Sequence, residues 1–89
     1  MKVIEYTEYG LAEEKSFIDA VVNILNEDKD NCIDFTGVHY FTTSFFNTLF
    51  NRLMSLNLMD KFLEIKVIGL NNVGSKVYSV CLDNVLKGK

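Results

Sequence analysis

Three consecutive hydroxyl side chains, Thr42, Thr43 and Ser44, are the part of this chain best suited to chemistry. They lie in the stretch CIDFTGVHYFTTSFFNTLFNRL, residues 32–53, where an apolar strand and a short loop give way to helical periodicity. A hydroxyl at a helix N-terminus accepts a hydrogen bond from a backbone N–H of the first turn and so caps the helix. The same place tolerates a phosphate best, because unpaired N–H groups and the helix dipole both favour negative charge. Ser44 is therefore a candidate phospho-acceptor as well as a candidate cap. Thr42 and Thr43 are the candidate cap or anion-binding residues beside it.

Other constellations offer less. His39 is the only histidine, so two-histidine metal sites and histidine relays are excluded, and no metal site is expected. No G-x-S-x-G elbow surrounds Ser44. The glycines at 10, 37, 69, 74 and 88 are too far apart to cradle a phosphate. Asp34, Asp60 and Asp83 can act as acids or bases, but no spacing brings two of them together. Asp34, near the end of its strand, is expected to hydrogen-bond the turn at residues 36–38, with Gly37 breaking the strand. Cys32 and Cys81 stand apart within apolar runs and read as small buried hydrophobes. The expectation is a protein without catalysis or cofactor.

Composition narrows the class further. The chain has 89 residues, of which 48% are hydrophobic, enough for one modest core in one domain spanning 1–89. Net charge is −3 and the basic residues are scattered, against the basic stripe that nucleic-acid binding requires. The acidic groups at Glu13–Glu14 and at Glu27, Asp28 and Asp30 read as solvated surface. No apolar run approaches the ~20 residues of a membrane span, so a cytoplasmic protein is expected.

The elements that must position the hydroxyls follow from periodicity. Residues 2–6 (KVIEY) alternate and are β-branched, which predicts a strand, and a turn follows at 7–10. Over residues 12–26 the apolar positions Phe17, Ile18, Val21, Val22 and Leu25 recur at helical spacing. After a polar loop at 27–31, Cys32, Ile33 and Phe35 make a second strand. A helix beginning at Thr43 or Ser44 is predicted to reach Leu58. Its apolar residues Phe45, Phe46, Leu49, Phe50, Leu53 and Met54 cover about half the circumference at ~100° per residue. A third strand is predicted over 63–68, and a last helix from Asn71 or Asn72 to Leu86, with Val73, Val77, Val80, Cys81 and Val85 along one stripe. The order β-α-β-α-β-α predicts an α/β fold, a small, largely parallel sheet packed with helices.

The wide apolar arc of the central helix implies a binding surface. Tyr40, Phe41, Phe45, Phe50 and Met54, with His39 in the loop, are the candidate partner-binding residues, on the expectation that one sheet cannot cover them all. Tyr40, Phe41 and either Phe50 or Met54 are expected to stay accessible. A phosphate on Ser44 would then weaken docking at an apolar interface by desolvation and repulsion.

The residues IDFTGV, the short aromatic loop and TSFFNTLFNRL resemble the STAS-like family, relatives of the anti-sigma-factor-antagonist (STAS) domains. Members carry an apolar strand ending in D-F-x-G-V and an S-F pair opening the next helix. In the antagonists that helix opens on D-S-S-G, whose second serine is phosphorylated by a partner kinase. The resemblance places Thr42 on the aspartate, Thr43 on the first serine, Ser44 on the phospho-acceptor and Phe45 on the glycine. It implies a bacterial, non-enzymatic regulatory module whose partner is a histidine-kinase-like ATPase with serine-kinase activity, or another regulator. Two alternatives stay open: a small-ligand or nucleotide-binding domain using the Ser44 helix N-terminus as an anion site, and a self-associating unit, a homodimer pairing through its aromatic face.

Overall fold

The computed structural model describes residues 1–5, 15–28 and 30–87. Helix α1 (Lys15–Glu27) leads to strand β1 (Cys32–Asp34), helices α2 (Thr43–Ser55) and α3 (Met59–Leu63), strand β2 (Lys66–Ile68) and helix α4 (Asn72–Lys87). The two strands are parallel, with Ile33 opposite Val67. A parallel pair needs a long crossover, and α2 with α3 supplies it. The α/β class with a parallel sheet is thus the one implied by the residues.

Three elements differ from the periodicity. Residues 2–6 do not form a full strand: Val3–Glu5 is a 3-10 turn, and one parallel bridge, Lys2 with Asp34, marks the edge of β1. Val3 turns fully into the core, while the Glu5 N–H closes the turn on the Lys2 carbonyl at 3.3 Å. Tyr6, the turn at 7–10, the start of the helix at 12–14 and the Glu13–Glu14 pair lie outside the described residues.

The central helix ends at Ser55 rather than Leu58. Asn57 takes the left-handed conformation with φ 57°, and the Leu58 N–H reaches back to the Leu53 carbonyl at 2.8 Å. This is a helix stop that asparagine tolerates. The turn redirects Leu58, Met59 and Phe62 into the core as α3, so the third strand starts at Lys66 instead of Leu63. In α4, Gly74 and Cys81 are buried, whereas Val73 and Val80 are 61% and 55% exposed. The expected valine stripe is therefore split between core and solvent.

All seven phenylalanines of the chain are in the core. Phe45 stacks on Phe17 of α1 at 5.3 Å between ring centroids. Phe46 and Phe50 both meet the Tyr78 ring of α4 edge-on, at 5.4 and 5.6 Å, and Phe50 also packs on Phe62 of α3. The arc on α2 is wide because α1, α3 and α4 all pack against it. Both cysteines are free thiols, Cys81 buried and Cys32 half-buried.

Candidate functional site

The loop from β1 into α2 is shaped at its start by a carboxylate. Asp34 accepts hydrogen bonds from the Thr36 hydroxyl at 2.6 Å and the Thr36 N–H at 2.8 Å. These bonds hold its carboxyl below the usual aspartate value. Gly37 then takes φ 91°, a left-handed conformation that suits glycine. Gly69, just past β2, presses on the same turn: a Cβ there would lie 2.4 Å from the Thr36 nitrogen.

At the far end of the loop, Thr42 is the N-cap of α2. Its backbone is extended, and its hydroxyl accepts from the Phe45 N–H at 3.1 Å. Ser44 lies inside the first turn and is not the cap, because the cap oxygen must precede the helical residues. Thr43 and Ser44 are both exposed, so the site presents two hydroxyls at a helix start already capped by a third.

Burial divides the candidate partner-binding residues. His39 and Tyr40 are exposed, Tyr40 by 64%, and Met54 is half-buried. Phe41, Phe45 and Phe50 are 8%, 1% and 0% exposed, so they form core rather than an accessible surface. Phe41 is taken by α4: a Cβ on Gly74 would come within 2.8 Å of its ring, so helix and ring are in closest contact there. Phe50, between Phe46, Phe62 and Tyr78, cannot carry a self-pairing face while the fold is intact. What stays exposed at this end of the site is His39, Tyr40, Thr43 and Ser44.

Behind the site, the Cys81 thiol reaches the Thr43 carbonyl at 3.7 Å, and burial raises its pKa. Among the described residues, no group of three His, Cys, Asp or Glu side chains is placed to hold a metal ion, and no helix is long and apolar enough to cross a membrane. Two exposed residues of the same helix face, Thr48 and Arg52, escaped the motif reading. Their signal is the i, i+4, i+8 spacing from Ser44, which puts all three in one row.

No curated protein and no solved structure matches the chain. A family model described as a STAS-like domain of unknown function (DUF4325) matches residues 15–75. That span runs from the first residue of α1 through the strand, loop and hydroxyl-bearing helix start to the first turn of α4. With its D-F-T-G-V strand end and T-S-F-F helix start, the chain belongs to the STAS-like family.

Proposed function

We propose that this protein is a non-catalytic STAS-like regulatory module that binds a protein partner through His39, Tyr40 and the exposed first turn of α2, and that phosphorylation of Ser44 releases the partner. The observation that supports this most is the placement of Ser44. It is exposed, one residue inside the helix, while Thr42 does the capping and Phe45 and Phe46 anchor the turn in the core. A phosphate at this position meets the positive end of the helix dipole, so modification does not oppose the fold. It adds about −1.5 to −2 charge to a surface that a partner must contact, and like charge or desolvation on the partner side then weakens docking. The partner in this reading is an ATP-dependent serine kinase of the histidine-kinase-like class, or a regulator controlled by one.

The test is capture of partners by wild type, Ser44→Ala and Ser44→Asp, each tagged at the C-terminus, with mass spectrometry of both partners and phosphosites. The reading expects one kinase-like ATPase held by wild type and Ser44→Ala, lost by Ser44→Asp, and phosphate on Ser44 of the wild type. Identical partners for all three proteins and an unmodified Ser44 would end it.

A further inference from the structure

The polar row on α2 continues beyond Ser44 into a groove between α1 and α2. The groove encloses about 350 Å³ and is lined by Lys15, Ile18 and Asp19 on one side and Thr48 and Arg52 on the other. Arg52 is the only arginine of the chain, whose net charge is −3. Among the described cations, the amino terminus, Lys61 and Lys87 sit in ion pairs with Asp30, Asp28 and Asp83. Lys15 and Arg52 have no carboxylate within 4.0 Å among the described residues, although Asp19 follows Lys15 by one helical turn. Two cations without an ion pair among the described residues therefore line one groove.

We propose that this groove receives an acidic segment of the protein partner, with the Arg52 guanidinium forked onto a carboxylate and Lys15 supplying the second positive charge. The inference rests on the reading that the Ser44 end of α2 is the partner surface. Carboxylates fit better than a compact phosphate for two reasons. Thr48 and Arg52 lie beyond the first turn of α2, where the backbone N–H groups are consumed by the helix and cannot form a phosphate cradle. Asp19 opposes a concentrated double charge, whereas the buried Ile18 gives the methylenes of a glutamate an apolar floor.

The row also explains how modification acts at a distance. Ser44 and Arg52 are eight residues apart, ~12 Å along the helix, so an acidic segment seated on Arg52 and running along α2 passes Ser44. A phosphate there places negative charge against negative charge, and the segment leaves.

The experiment is an amide NMR titration of the whole chain with an end-blocked peptide of about ten alternating Glu and Ala residues. The expected shifts concentrate at Lys15, Ile18, Thr48 and Arg52 and weaken as salt is raised. Arg52→Glu should bind about tenfold more weakly, Arg52→Gln less so, and Arg52→Lys should retain much of the affinity. Arg52 is exposed, so Arg52→Gln and Arg52→Lys should melt close to the wild type, which separates binding from folding, while Arg52→Glu, in the last turn of α2, should melt slightly lower. The groove is overturned by a silent titration, by shifts spread evenly over Lys2, Lys66 and Lys76, or by unchanged affinity in Arg52→Glu. Inorganic phosphate moving the same amides at lower concentration would overturn it too, in favour of an anion site. Partner capture that responds to Ser44→Asp but ignores Arg52→Glu removes the groove and leaves the Ser44 reading. Peptide binding at the groove, with capture indifferent to Ser44→Asp, does the reverse.

Discussion

Helices α2 and α4 pack against each other, yet they are held by different means. α2 has 13 residues and buries five large side chains: Phe45, Phe46, Leu49, Phe50 and Leu53. α4 is longer, at 16 residues, and buries only Gly74 and Cys81, with the edges of Tyr78 against Phe46 and Phe50. A helix bolted down on one face offers its other face as a fixed platform, and that face carries Thr43, Ser44, Thr48 and Arg52. α4 acts as a lid whose fit depends on small residues, so Val73 and Val80 can remain in solvent while Val77 and Val85 only lean on the core.

The strongest way to break this contrast is Phe46→Ala, which removes a fully buried ring touching Phe35, Phe41, Phe45, Phe50 and Tyr78. A loss of ~3–5 kcal/mol in urea unfolding is expected, close to the whole stability of a small domain. Gly74→Ala comes next. The added methyl meets the Phe41 ring, and overpacking of ~1–3 kcal/mol outweighs the gain in helix propensity. Faster amide exchange should appear in the loop around Tyr40, and an unchanged melting temperature would show that α4 is not closely fitted.

Thr42→Ala should cost ~1 kcal/mol, or roughly 4–8 °C in melting temperature, while Ser44→Ala stays within ~0.5 kcal/mol. The reverse order would return Ser44 to the role of cap. The turn that delivers the platform is sensitive to acid. The folded pKa of Asp34 is lowered by the Thr36 bonds, so its stabilisation is complete well above the ordinary value of 3.8 and fades as pH falls below it toward the folded value. Wild type and Asp34→Asn should therefore differ in stability near pH 7 and converge under strong acid in pH-dependent thermal melts. The smallest effect belongs to Val80→Lys on the solvent side of α4, expected within ~0.5 kcal/mol of wild type.

Much of this arrangement was legible in the chain. The spacing of Phe17, Ile18, Val21 and Leu25 marked α1, and the apolar run broken by Gly37 marked β1, whereas the alternation of residues 2–6 predicted a strand that is a 3-10 turn. Asn71 marked the last helix, and its side-chain oxygen does accept from the Gly74 N–H at 2.7 Å. The family resemblance placed the hydroxyl-bearing helix start. The exposure of the aromatics was not legible, because a hydrophobic arc records how much surface is covered but not by how many neighbours. Phe45 is covered by α1, Phe50 by α3 and α4, and Phe41 by a glycine that carries no hydrophobic signal of its own. The stop at Asn57 was equally hidden, since it depends on one left-handed residue inside a run of helix formers. The groove at Lys15 and Arg52 needed two helices 28 residues apart at their starting ends to meet, which no local pattern contains.

Gly69 ties the platform to folding kinetics. The turn at Asp34 and Thr36 takes its shape against the end of β2, with the Phe35 N–H on the Ile68 carbonyl at 2.8 Å and no room for a Cβ at Gly69. Ile68 lies 34 positions after its partner Asp34, so this closure waits for α2 and α3 to fold back between the strands. The presentation of Thr43 and Ser44 is thus a late product of folding, completed when the crossover closes. A chain stopped short of residue 69 lacks the strand end against which the turn at Asp34 and Thr36 takes its shape, and Thr43 and Ser44 are then held only by the Thr42 cap and the Phe45 and Phe46 anchors.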